Sequence, residues 1–240
     1  MDIVYLVKNS RTNDELTYSL RTLVNVPHDK VFLVGGCPDN IKKDTIIHIP
    51  VLQNTGNKYQ NTLKNLELIC RDPRLSEEFI LFNDDFFLLL KTTDNPRAEF
   101  NLCRGFIKDV YDEYLAMYGN DGNYYLQAMR QTMIFLQDLG IKEPLSYELH
   151  IPLVMDKNKV LRAFSLPGIH SIGAGHIRSI YGNLFLEGSR VVADCKIRHR
   201  TERIQRMTTN SKFLSSADST WEYIKPFIQS KFPDKSEYEV

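Results

Sequence analysis

Long hydrophobic runs are missing from this chain. No segment approaches the roughly 18 consecutive apolar residues that a membrane-spanning helix needs, so no transmembrane segment is expected. The opening MDIVYLVKNSRTNDE carries an acid at position 2 and lacks the basic leader and longer apolar core of a secretory signal. A cytoplasmic location is therefore expected. Cysteine is scarce: Cys37, Cys70, Cys103 and Cys195 lie far apart, with no CxxC or Cys/His pattern, which excludes a zinc-site or small disulfide-framework reading and leaves reduced, mostly buried thiols. An excess of charge of one sign is absent too, because 30 Lys and Arg balance 30 Asp and Glu. No global field draws such a chain to nucleic acid or anionic lipid. The basic stretch Lys196 to Arg206 reads as a solvated helix face or a local phosphate surface. Repeats and low-complexity segments are absent.

What is present is a βα pattern. Asp2 to Val7 is a β-branched apolar run, followed by a polar turn and by Glu15 to Val24, in which Leu16, Leu20, Leu23 and Val24 recur at helical spacing. Lys30 to Val34 and Thr45 to Val51 read as further strands, the first closed by Gly35-Gly36-Cys37-Pro38. The polar stretch from Gln53 to Asn61 leads into a helix ending near Cys70, before Asp72-Pro73. Alternation of this kind predicts an α/β fold with a mostly parallel sheet covered by helices. Residues 94–145 read as a helical insertion within a single domain spanning 1–240. Tyr147 to Pro152 reads as extended, and Ser219 to Phe232 as an amphipathic helix with Trp221, Ile224, Phe227 and Ile228 inward and Pro226 inside it.

The most informative segment is EFILFNDDFFLLL, Glu78 to Leu90. Apolar runs flank Asn83-Asp84-Asp85, and two carboxylates in such a setting are costly unless a cation or hydrogen bonds compensate them. Paired acids at the C-terminal end of a sheet strand suit a hard divalent cation, Mg²⁺ or Mn²⁺, which takes oxygen ligands and can bridge the phosphates of a nucleotide diphosphate. A turn with a helix cap is the other reading of the same residues.

The segment RLSEEFILFNDDFFL closely resembles the Stealth family, sugar-phosphate transferases of bacterial capsule synthesis and of lysosomal-enzyme GlcNAc-1-phosphotransferase, whose signature reads like GLSERFIYFNDDMFL. DIVYLVKNS and NDELTYSLRTLVNVPHDKVFLVGG are similar to the family's opening elements. His150-Ile151-Pro152 resembles its HxP motif, Arg178-Ser179 its later RS or RH, Lys212 to Asp218 its KFVCLND, and Phe232 to Glu239 its closing FPxxSxFE. Departures are the missing Trp-Val-Asp/Asn-Gly turn at the start, a different continuation after HxP, and Ala217 in place of Asn.

The resemblance implies a Rossmann-like, GT-A-like fold and transfer of a sugar 1-phosphate from a nucleotide-diphosphate sugar, UDP-GlcNAc-like, to a hydroxyl acceptor such as a glycan. Transfer of the sugar itself, as in an ordinary glycosyltransferase, is the alternative, and a binding module with a degenerate site is the non-enzymatic one. Asp84 and Asp85 would carry the metal and diphosphate, with Asp85 also acting in catalysis. Asp218 is a further metal ligand, a base or a helix N-cap. Asn83 would orient the cation and diphosphate or bind the donor. His150 would take the acceptor proton, and Arg178 would clamp phosphate. Arg21 faces phosphate or pairs with a nearby acid. Asn57, Lys58 and Asn61 either bind the donor or form a polar loop. A nucleic-acid acceptor suits the fold but has no basic stripe or aromatic stacking motif behind it.

Overall fold

Unbroken apolar runs must be covered on both faces, and the computed structural model covers them by placing the first strands in the middle of a sheet. It describes residues 1–52, 58–119, 122–172, 175–199 and 211–240, leaving the side chains of Lys58 and Tyr59 undescribed. Strands β1 (Asp2–Val7), β2 (Val31–Gly35), β3 (Ile47–Pro50) and β4 (Glu78–Phe82) run parallel in the order β3-β2-β1-β4. Strand β6 (Leu153–Asp156) joins the β4 edge antiparallel. The central sheet is thus mostly parallel and flanked by helices, as the alternating pattern predicts.

Side chains alternate across the sheet with the strand period of two. Val4, Phe32, Val34, Phe79 and Leu81 pack against α2 (Lys58–Cys70), α6 (Lys157–Phe164) and α7 (Ile177–Phe185). Ile3, Tyr5, Val7, Val31, Leu33, Ile80 and Phe82 pack on the other face with Leu16, Leu20 and Leu23, of which the first two belong to α1 (Asp14–Thr22). Asn13 starts α1 by accepting from the Leu16 amide at 2.9 Å.

The run Glu78 to Leu90 does not form one strand. Strand β4 ends at Phe82, Asn83-Asp84-Asp85 turn with the Phe86 amide donating to the Asn83 carbonyl at 3.2 Å, and β5 (Phe86–Leu88) starts a second sheet. That sheet has the order β5-β8-β7, with β7 at Lys196–Ile197 and β8 at Phe213–Ser216. Helix α1 joins the two sheets through buried hydroxyls. Ser19 Oγ donates to the Phe86 carbonyl at 2.5 Å, and the Leu88 amide donates to Thr22 Oγ1 at 3.1 Å. The free edge of β5 is satisfied by a helix in this way. Helix α8 (Trp221–Lys231) covers the small sheet, its Trp221 ring stacked on Phe87 at 5.5 Å.

Helices α3 (Pro96–Phe100), α4 (Ile107–Tyr118) and α5 (Tyr124–Asp138) fill the stretch expected to be helical. Helices α4 and α5 share an apolar cluster around Tyr114, Leu126, Met129 and Leu136. Helices α6 and α7 and strands β6, β7 and β8 were not expected; β7 starts the basic stretch that read as a helix face, so its described residues are extended instead. Tyr147 to Pro152 has no strand partner and is held by side chains instead. All four cysteines are free, and no helix among the described residues is long and apolar enough to cross a membrane.

The end of the chain is bound to α1. Arg21 donates to Glu239 from Nε at 2.9 Å and from Nη2 at 2.7 Å, and its Nη1 donates to the carbonyls of Phe232 and Pro233. The Ser236 amide and hydroxyl donate to Glu239 at 2.8 and 3.0 Å. The closing FPxxSxxE pattern, ending on Glu239, is therefore a clamp on Arg21.

Helix α7 lies against the ring of Tyr147 at Gly182, where an added Cβ would sit 2.3 Å from ring carbon Cδ2. Glycine to alanine within a helix ordinarily stabilises by about 1 kcal/mol. Here the sign reverses, and Gly182→Ala is expected to destabilise by about 1–3 kcal/mol through overpacking in urea denaturation.

Candidate functional site

In a parallel sheet, ligands bind beyond the C-terminal ends of the strands where the chain order reverses. Here that point lies between β1 and β4, since β1 continues to β2 on one side and the chain returns to β4 on the other. The Asn83-Asp84-Asp85 turn leaves β4 at this crevice.

Each acid in the turn has a partner. Asn13, while capping α1 with its carbonyl oxygen, donates Nδ2 to Asp84 Oδ2 at 2.7 Å. Asp85 Oδ2 accepts from Lys196 Nζ at 3.0 Å and from Ser215 Oγ at 3.1 Å. Glu15, in the first turn of α1, accepts from Ser216 Oγ. Burial, with Asp85 beside it, raises the Asp84 carboxyl above the usual range against the opposing hydrogen bond from Asn13. Burial also lifts Glu15, and the charges of Asp85, Asp84 and Asp218 add to it over the opposing Ser216 hydrogen bond, so that Glu15 is pushed up to about 7. Asp218 itself is exposed, and Thr220 rather than Asp218 takes the N-cap position of α8.

Four carboxylates thus gather at this rim, although as the side chains stand no three His, Cys, Asp or Glu among the described residues are placed to hold a metal ion. The expected set of Asp84, Asp85 and Asp218 is not assembled as a cage: Asn13 and Lys196 hold the first two. The donor set nonetheless fits a hard cation in its chemistry, being all oxygen, with burial first and neighbouring carboxylates second raising two of its members.

Phe86 connects the acids to the other expected residues. The His150 ring meets it edge-on at 6.2 Å, and the Arg178 guanidinium lies over its face at 5.5 Å. Arg178 is 7 % exposed, donates Nη2 to the Ile151 carbonyl and leaves Nε without a partner. Burial lowers its pKa, against the nearby charges of Glu148, Asp85 and Asp194. The next residue, Ser179, receives the Tyr147 amide at 3.0 Å and donates its own amide and hydroxyl to Glu148. The RS and HxP elements are therefore one hydrogen-bonded unit, with Arg178-Ser179 at the start of α7 holding Tyr147 to Ile151 in place of strand pairing.

His150 faces Asp194. Its Nδ1 lies 2.9 and 3.1 Å from the two carboxylate oxygens, and its amide donates to Oδ1 at 3.1 Å. Arg198 Nη2 donates to Asp194 Oδ2 at 2.7 Å. Burial alone would raise Asp194, yet His150 and Arg198 hold it well below the usual carboxylate range. Cys195, between Asp194 and Lys196, donates Sγ to the His150 carbonyl at 3.0 Å, and burial pushes its thiol up.

The structure brings Asp84, Asp85, Asp218, His150 and Arg178 to one end of the molecule around Phe86 and Glu15. Of the two readings of Arg21, pairing with an acid is the one its contacts show. Asn61 is half-buried in the first turn of α2; Asn57 and the Lys58 side chain lie outside what is described, as do residues 200–206 of the basic stretch. Asn13, Glu15, Asp194, Lys196 and Ser215 were not expected at the site. Asn13 had a readable signal as an N-cap before Asp14-Glu15, whereas Asp194 and Lys196 lie in a segment without periodicity.

No protein-family model matches the sequence, and no curated protein matches it, so the Stealth resemblance rests on the quoted residues. Among solved structures, the chain is similar to a galactosyltransferase, LgtC, in complex with donor and acceptor sugar analogues: 14% identity, 99% of this chain and 98% of that one covered, TM-score 0.45. It is also similar to mouse xyloside xylosyltransferase 1, at 9% identity over 92% of this chain and 99% of that one, with a TM-score of 0.44. Overlap at this level says nothing about activity.

A carboxyl raised by folding binds more protons in the folded than in the unfolded chain between its two pKa values, so Glu15 costs stability progressively from about pH 4.5 to 7 and fully above that. Glu15→Gln is expected to stabilise by roughly 2 kcal/mol at about pH 8 and to leave stability unchanged at about pH 4. Denaturant titrations at the two pH values check this; an equal effect at both contradicts it.

Proposed function

We propose that the chain is a divalent-metal-dependent transferase that moves a sugar 1-phosphate from a nucleotide-diphosphate sugar to a hydroxyl acceptor. The observation that carries the reading is the convergence around Phe86 of residues far apart in sequence, the acid turn at Asp84-Asp85, His150 and Arg178, each matching an element of the Stealth pattern. Mg²⁺ or Mn²⁺ held by Asp84 and Asp85, with Asp218 as a further ligand, would neutralise charge on the donor diphosphate.

The protein's own residues divide the remaining work. Asn13 orients Asp84. Asn83, Lys58 and the amides of Asn57 and Asn61 are proposed to contact the donor. Arg178 places a fixed positive charge behind the reacting centre, and its location in the protein interior strengthens its effect on phosphate. His150 removes the proton from the acceptor hydroxyl. A glycan suits the acceptor role.

The released nucleotide tests the reading. With a uridine-diphosphate sugar and Mg²⁺ or Mn²⁺, attack at phosphorus liberates UMP. Liberation of UDP places attack at the anomeric carbon, which makes the chain a glycosyltransferase on the same cradle. Neither nucleotide from any of a panel of donors overturns the enzymatic reading.

Asp84→Asn and Asp85→Asn are each expected to lower turnover by roughly 100-fold or more with the fold retained by circular dichroism. Turnover retained in both variants removes the acid turn from the mechanism. Chelation of divalent ions is expected to abolish product formation, and added Mn²⁺ to restore it.

A further inference from the structure

A histidine can accept a proton only from the ring nitrogen that carries none, and which nitrogen that is depends on what the other one donates to. In this chain the donation is fixed on one side. Both Asp194 oxygens lie within 3.1 Å of His150 Nδ1, and Oδ1 also takes the His150 amide. Asp194 is itself held, since Arg198 donates to it and, with the same nitrogen, to the hydroxyl of Tyr114 on α4 at 2.7 Å. Arg104 also donates to that hydroxyl, at 3.0 Å. The Asp194 side chain is 4 % exposed, whereas that of His150 is 22 % exposed.

From this geometry we infer that Asp194 is the positioning residue of His150, holding the imidazole in the Nδ1–H tautomer so that Nε2 is the proton acceptor. An ionised carboxylate accepts only, so with Asp194 as partner Nδ1 must carry the proton. Arg198 and Tyr114 keep the carboxylate from turning away. Lys196, two residues on from Asp194, grips Asp85, so one short segment sets the base and the acid turn relative to each other.

The kinetic consequence rests on the transferase reading. When the acceptor oxygen bonds to the sugar-bearing phosphorus, its proton passes to His150 Nε2. The bond from that phosphorus to the bridging oxygen breaks, and the nucleoside monophosphate leaves with the electron pair. The imidazolium then has a proton on each nitrogen, and Asp194 stabilises its charge.

The test reads the tautomer directly and without turnover. In long-range ¹H–¹⁵N spectra of histidine-labelled protein at about pH 8, the His150 signal, one of six histidines, is assigned by its loss in His150→Gln. Wild type is expected to show Nδ1–H with Nε2 bare. Asp194→Asn, whose amide can donate to Nδ1, is expected to shift the population to Nε2–H. It should also lower kcat on the order of 100-fold or more while the donor KM stays within about three-fold.

An Nε2–H tautomer in wild type overturns the inference, and that spectrum needs no variant to fold. So does an Asp194→Asn protein whose tautomer changes while kcat stays within about two-fold. If wild type shows Nδ1–H but releases no nucleotide from any donor, the transferase reading fails and the positioning of His150 by Asp194 stands.

Discussion

A carboxylate surrounded by protein must find donors or a cation, and this requirement organises one end of the molecule. The turn after β4 presents two such groups in succession, and Glu15 and Asp218 bring two more within electrostatic reach. Asn13 answers Asp84, while Lys196 and Ser215 answer Asp85. The compensation is incomplete: burial and their neighbours still hold Asp84 and Glu15 above the usual carboxylate range. Structural acids elsewhere differ. Asp2, 1 % exposed, accepts the amides of Lys30 and Ser76 and fixes the start of the sheet.

The surrounding motifs are connected by the same kind of contact. Arg178 and Ser179 hold the segment that carries His150, Ser19 and Thr22 tie α1 to the small sheet, and Arg21 with Glu239 ties the end of the chain to α1. Elements separated by up to 218 positions are thus linked by hydrogen bonds. A short sequence motif such as RS or FPxxSxxE therefore acts here through the segment it restrains.

The central sheet was legible because β1, β2 and β4 are short apolar runs separated by helical periodicity and turn residues. The acid turn was legible because two carboxylates between apolar runs contradict their surroundings. The division of Glu78 to Leu90 between two sheets was not, since periodicity does not distinguish one long buried strand from two short ones. Helix α6 had a signal that was not used: Asp156 caps it by accepting from the Lys159 amide, and Val160, Ala163 and Phe164 follow at helical spacing. Asp194 carried none. Its role depends on meeting His150, 44 residues away, through a contact that no local pattern encodes.

The proposed function makes the acid turn a cation and diphosphate site. Its most direct test is anomalous diffraction from crystals soaked with Mn²⁺ and a uridine-diphosphate sugar. The expected result is a peak at bonding distance, about 2.2 Å, from a carboxylate oxygen of Asp84 or Asp85, with the diphosphate on its open side. Nucleotide bound elsewhere, with no metal at these carboxylates, would contradict it.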